Sequence, residues 1–130
     1  DETRAAIFIR DRLVGVALAA FFTVHRELGT GFPDVIYRRA LALELQQRGI
    51  QFEQAAAIGV FYKGAKVGQY TVDLIVEGRI VVQVRGDAPG DWDATRLPHL
   101  LRRSGCSAAL LLIFGSSPVF RHVAAAEAPE

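Results

Sequence analysis

Asp73, Gln83 and Arg85 are the residues of this chain whose types and spacing could do chemistry. They fall in the stretch Asp73-Leu74-Ile75-Val76-Glu77-Gly78-Arg79-Ile80-Val81-Val82-Gln83-Val84-Arg85, which reads as two strands and a tight turn. A carboxylate and an amide oxygen on neighbouring strands can ligate a hard cation, and a guanidinium beside them can hold an anionic group. The same side chains can instead form a partly buried ion pair, Asp73 with Arg85, with Gln83 hydrogen-bonded alongside. On spacing alone the ion pair is the stronger reading.

The register decides whether these side chains meet at all. Asp73 and Gln83 lie ten positions apart, an even separation. A two-residue loop opposes residues at odd separations, so it would send them to opposite faces. A three-residue loop of Glu77, Gly78 and Arg79 makes Asp73 face Gln83 and Thr71 face Arg85. One face then holds Val72, Leu74, Val76, Ile80, Val82 and Val84, all apolar. The other holds Thr71, Asp73, Ile75, Val81, Gln83 and Arg85, apolar near the turn and polar at the far end.

The elements that must position this hairpin follow from periodicity and breakers. Residues 3–28 predict a helix apolar on nearly every face, which is buried on more than one side or covered by a partner subunit. Gly29-Thr30-Gly31 ends it. A second helix starts near Pro33, carries Val35, Ile36, Ala40, Leu41, Leu43 and Leu45 on its apolar side, and stops at Gly49. Strands are expected at 58–62, 67–76 and 80–85, with a turn at 63–66. A loop at 86–93 leads to a helix at 94–103. The continuous apolar run 108–114 reads as a strand covered on both faces, with 120–123 a short edge strand. The order is helix, helix, three strands, helix, strand. It predicts an α/β chain with a mixed sheet between helices, one domain over 1–123 and a frayed tail at 124–130.

Composition narrows the function classes. With 130 residues, 51% of them hydrophobic, the chain can bury a sizeable core in one domain. A net charge of +1 gives no global pull toward nucleic acid or an anionic membrane. The single cysteine, Cys106, excludes an intrachain disulfide and opens an apolar run, which reads as a buried inert thiol. The apolar tract 13–24 is twelve residues long and bracketed by Asp11, Arg12, His25, Arg26 and Glu27, too short to span a bilayer. A cytoplasmic protein without membrane insertion is expected.

Lesser candidates carry plainer readings. Tyr37 and Glu44 either line the cleft of the second helix, or Tyr37 packs and Glu44 pairs with Arg48 at i+4. His25, His99 and His122 are too scattered for a metal cluster. Arg96, Arg102 and Arg103, with Lys63 and Lys66, make a phosphate-facing surface or a solvated one. Trp92 reads as a contact residue or as a lid over the core.

One longer pattern ties these pieces together. Gly31-Phe32-Pro33-Asp34-Val35-Ile36-Tyr37, followed by Arg38-Arg39-Ala40-Leu41-Ala42-Leu43-Glu44-Leu45, resembles the signature of the GxxExxY proteins. The likeness continues through Phe61-Tyr62-Lys63-Gly64, Val67-Gly68, Tyr70 with Asp73, and Leu110-Leu111-Leu112-Ile113-Phe114-Gly115. Those small proteins are related to the PD-(D/E)XK nuclease superfamily. The resemblance implies a restriction-endonuclease-like three-layer α-β-α fold. It places Asp34 at the helix glutamate, Asp73 at the metal-binding aspartate, Gln83 at the acidic position of the E-x-K motif and Arg85 at its lysine. Arg96 falls near a glutamine of the following helix.

The departures from that pattern are physically unequal. An amide oxygen can ligate a hard cation but brings no charge. A unit charge about 4 Å from a dication is worth roughly 8 kcal/mol at an effective dielectric near 20, before solvation offsets most of it. Magnesium prefers carboxylates, so Gln83 should weaken binding. Arg85 cannot act as a base, because a guanidinium stays protonated at physiological pH. The expectation is therefore a catalytically degenerate protein acting as a protein-binding or assembly subunit, with a protein partner or a second copy and no cofactor. The alternative is a DNA nuclease in which Asp34, Asp73 and Gln83 hold Mg²⁺ or Mn²⁺ and Arg85 steadies the phosphate. A third expectation is nucleic-acid binding without cleavage through Arg85, Arg96 and Arg102.

Overall fold

The computed structural model describes residues 11–87 and 91–125, the side chains of 91–94 excepted. The start of the expected first helix (3–10), the expected tail beyond 125 and the Trp92 side chain lie outside the described residues. In chain order the elements are α1 (Arg12–Leu28), α2 (Asp34–Gln47), β1 (Phe52–Tyr62), β2 (Ala65–Val76), β3 (Ile80–Arg85), α3 (Asp91–Ser104), β4 (Ala108–Phe114) and β5 (Pro118–Ala124). The strands form one sheet in the order β1-β2-β3-β4-β5. Only the β3–β4 pair is parallel, and α3 supplies the crossover that such a pair requires.

Each helix starts or stops for a local reason. The Asp11 carboxylate accepts the N–H groups of Leu13 and Val14, capping α1. It also meets Arg79 at 3.2 Å, which pins the start of α1 to the β2–β3 turn. Gly29, at φ +73°, ends α1 and passes its N–H to the His25 carbonyl. Pro33 precedes the first turn of α2.

The sheet divides two cores. On one side α1 and α2 bury Val14, Leu18, Phe21, Tyr37, Leu41 and Leu45 against alternate residues of β3 and β4, among them Val82, Val84, Leu110 and Phe114. On the other side α3 buries Leu97, Leu100 and Leu101 against Val81, Ala109, Leu111 and Ile113. Each such side chain is worth about 1.5–3 kcal/mol on burial. Strand β4 is buried along its whole length, as its unbroken apolar run predicts. The result is an α/β fold of three layers, α-β-α.

Helix α1 packs within the chain, one of the two alternatives expected for it: Phe21 is buried, and Phe22 packs edge-on against Phe120 with ring centroids 6.2 Å apart. Two expectations need correction. The large apolar side chains left exposed include Phe61, Tyr62 and Val67 near the β1–β2 turn. That turn is two residues, Lys63 and Gly64, both at positive φ, so β2 begins at Ala65 and not at Val67. Finally, Val72 does not share a face with Leu74 and Val76. It packs with Ala56 and Leu111 on the α3 side, while Leu74 and Val76 face α1 and α2. Residues two apart fall on opposite faces only where the pleat changes phase. The change lies at Asp73, across from Ala55, an alanine at φ +52°.

Candidate functional site

That change of phase creates the polar end of the hairpin. Regular β2–β3 pairing runs from Val76↔Ile80 to Leu74↔Val82 and stops there. The three residues between Val76 and Ile80 form the loop, and the Arg79 N–H closes it on the Val76 carbonyl. Gly78, at φ +66°, supplies the conformation the turn needs. In this register Asp73 stands opposite Gln83, as the parity argument requires. The ladder ends before Thr71 and Arg85.

Beyond the last regular pair, side chains take over from backbone. The Asp73 N–H donates to Gln83 Oε1 at 2.8 Å, and the Val84 N–H donates to Asp73 Oδ2 at 2.7 Å. Gln83 is 5% exposed and is the buried polar residue of the described core. A neutral amide is far cheaper to bury there than a carboxylate would be.

Two guanidiniums flank the Asp73 carboxylate. Arg85 Nη1 lies 3.6 Å from Oδ2 and also donates to the Val84 carbonyl at 2.8 Å. Arg38 Nη1, on α2, lies 3.5 Å from Oδ1. Arg38 is one helical turn beyond Asp34, so the i, i+4 spacing was the signal that could have found it.

Asp34 joins the site through the backbone. Its carboxylate accepts the N–H of Gly86, the residue after β3. A Cβ on Gly86 would sit 2.6 Å from the Phe32 carbonyl oxygen, so only glycine lets the start of α2 dock so closely on β3. The structure thus gathers Asp73, Gln83 and Arg85 and ties Asp34 in at the end of β3.

Arg96 and Arg102 lie on α3. The Arg96 guanidinium lies 4.8 Å over the Tyr70 ring, and Arg102 bonds His99 at 2.7 Å on the exposed side of α3. Tyr37 is a core residue: its ring stacks on Phe114 at 4.3 Å and its hydroxyl donates to the Gly29 carbonyl. Glu44 pairs with Arg48 at 2.6 Å, and His25 bonds the Gly115 carbonyl. Cys106 is buried.

A divalent ion does not fit this donor set. Hard cations want several charged oxygens. Here Asp73, Gln83 and Asp34 each spend an oxygen on a main-chain N–H, and two cationic side chains lie within 4 Å of the Asp73 carboxylate. Among the described residues, no group of three or more His, Cys, Asp or Glu side chains could hold a metal. No described helix is long and apolar enough to cross a membrane.

Residues 11–123 match the family model of the PD-(D/E)XK nuclease superfamily. Among curated proteins no match was found. Among solved structures, the chain is similar to an alkaline exonuclease (LHK-Exo) from Laribacter hongkongensis, at 9% identity and a TM-score of 0.47, covering 92% of this chain and 73% of that one.

Proposed function

The chain belongs to the PD-(D/E)XK nuclease superfamily, and we propose that it is a GxxExxY-type member that does not hydrolyse phosphodiesters and serves as a protein-binding or assembly subunit. One observation carries this reading. The Asp73 carboxylate sits between Arg38 and Arg85, in the place where the superfamily's chemistry calls for a metal ion and a lysine. Arg85 supplies a fixed positive charge and no base. Gln83 supplies a buried acceptor for the Asp73 N–H, a structural task that leaves no charge for a cation. The polar cluster then holds β2, β3 and α2 together where their regular pairing ends.

The test restores the lost chemistry. Gln83→Glu with Arg85→Lys should gain Mn²⁺-dependent cutting of DNA that the parent chain lacks. Metal-dependent cutting by the parent chain, abolished by Asp73→Ala, would overturn the reading.

A further inference from the structure

The poor fit for a cation has a counterpart in the cleft beside Asp73, a cavity of about 410 Å³ lined by Arg38, Arg39, Thr71 and Asp73 among others. Two guanidiniums face this space, and Arg85 approaches the same carboxylate at its other oxygen. Two permanent cations against one carboxylate among the lining residues leave the pocket with surplus positive charge. Arg38 is only loosely held, one nitrogen at 3.5 Å from Asp73, with its side chain about a third exposed. Arg39 is exposed and makes no hydrogen bond or ion pair among the described residues. The lining thus carries the charge that an anion would need.

We propose that this cleft is a metal-independent anion site that takes a carboxylate from an acidic segment of a partner protein. The proposal rests on the non-hydrolytic reading above and names the chemistry of the partner. Arginine forks match a carboxylate with two parallel hydrogen bonds, and Thr71 and Gln54 add neutral partners at the rim. The volume suits a side chain and a short length of backbone. Val35 and Ala55 give the walls an apolar part that a peptide can cover. A nucleic-acid duplex is the poorer occupant, because the chain's net charge of +1 offers no broad positive field to a polyanion.

The experiment uses the full chain in EDTA and follows arginine Nε–Hε and backbone amide resonances while acetyl-tetraglutamate amide is added. Saturating shifts at Arg38, Arg39 and Thr71 are expected. Arg39→Gln should raise the dissociation constant about ten-fold. Arg121→Gln, on the far edge of the sheet, should leave it unchanged. Absence of saturable shifts at those three residues, or equal loss in both variants, overturns the anion site. Tighter binding of a short thymidine oligonucleotide at the same residues overturns its assignment to a peptide. A final addition of MnCl₂ after dialysis separates the two levels of the argument. Selective broadening around Asp73 overturns the non-hydrolytic reading itself, whereas failure of the peptide alone without broadening overturns only the site proposed here.

Discussion

Gln83 Oε1 accepts the Asp73 main-chain N–H at 2.8 Å across two strands whose regular ladder has already ended one pair earlier. The side-chain amide thereby substitutes for a backbone carbonyl. Gln83→Leu keeps most of the volume and removes the acceptor. It should lower stability by about 1–3 kcal/mol, the cost of leaving a part-buried donor unpaired. Urea unfolding monitored by far-UV circular dichroism reads this; an unchanged midpoint would show that water replaces the amide.

Asp73 contributes to stability mainly through Val84, whose N–H it accepts at 2.7 Å, and less through its arginine neighbours. Asp73→Ala should cost about 1–3 kcal/mol for that lost acceptor. The coupling of Asp73 to Arg38, measured by a double-mutant cycle, should be only about 0.2–1 kcal/mol, because the contact is long and a third exposed. A larger coupling would mean that Arg38 is fixed in place and not available to a ligand.

Gly86 is where the residues at the start of α2 crowd against the chain leaving β3. Gly86→Ala drives a methyl toward the Phe32 carbonyl and the Asp34 carboxylate. The expected loss is about 1–3 kcal/mol, typical of overpacking where backbone must move. Thermal unfolding measures it, and amide shifts should concentrate at residues 32–38. A variant as stable as the parent would show that α2 is free to lift from β3.

Tyr37→Phe keeps the ring stacked on Phe114 and removes the hydroxyl that donates to the Gly29 carbonyl at 2.6 Å and accepts the Phe32 N–H at 3.3 Å. It should cost about 1–3 kcal/mol, as two net hydrogen bonds do at roughly 0.5–1.5 kcal/mol each. A loss of peptide binding without a loss of stability would instead place Tyr37 in the site.

How much of this could be read from the residues alone varies with the physics. The Asp73–Gln83 opposition was legible, because a period of two and the parity of a three-residue loop leave a single arrangement. Strand β4 was legible for a similar reason: seven consecutive apolar residues need cover on both faces. Val72 was not, because a change of pleat phase at Ala55 and Asp73 is a tertiary event with no marker in an alanine-rich strand. The first half of β1 was missed for the same want of alternation, Ala55, Ala56 and Ala57 giving no period to follow. The approach of Arg38 to Asp73 depends on how α2 lies against β2, and helix spacing from Asp34 was the sole clue. Arg96 read as phosphate-facing or solvated, and its place over Tyr70, a pairing between residues 26 positions apart in sequence, had no marker in either segment.

The central claim is that this polar cluster, held by its own hydrogen bonds and flanked by guanidiniums, has no place for a catalytic metal. Calorimetric titration of the parent chain with MnCl₂, alongside Asp73→Ala, tests it most directly. The account predicts no saturable heat distinguishing the two proteins. Stoichiometric binding by the parent that vanishes in Asp73→Ala would contradict it.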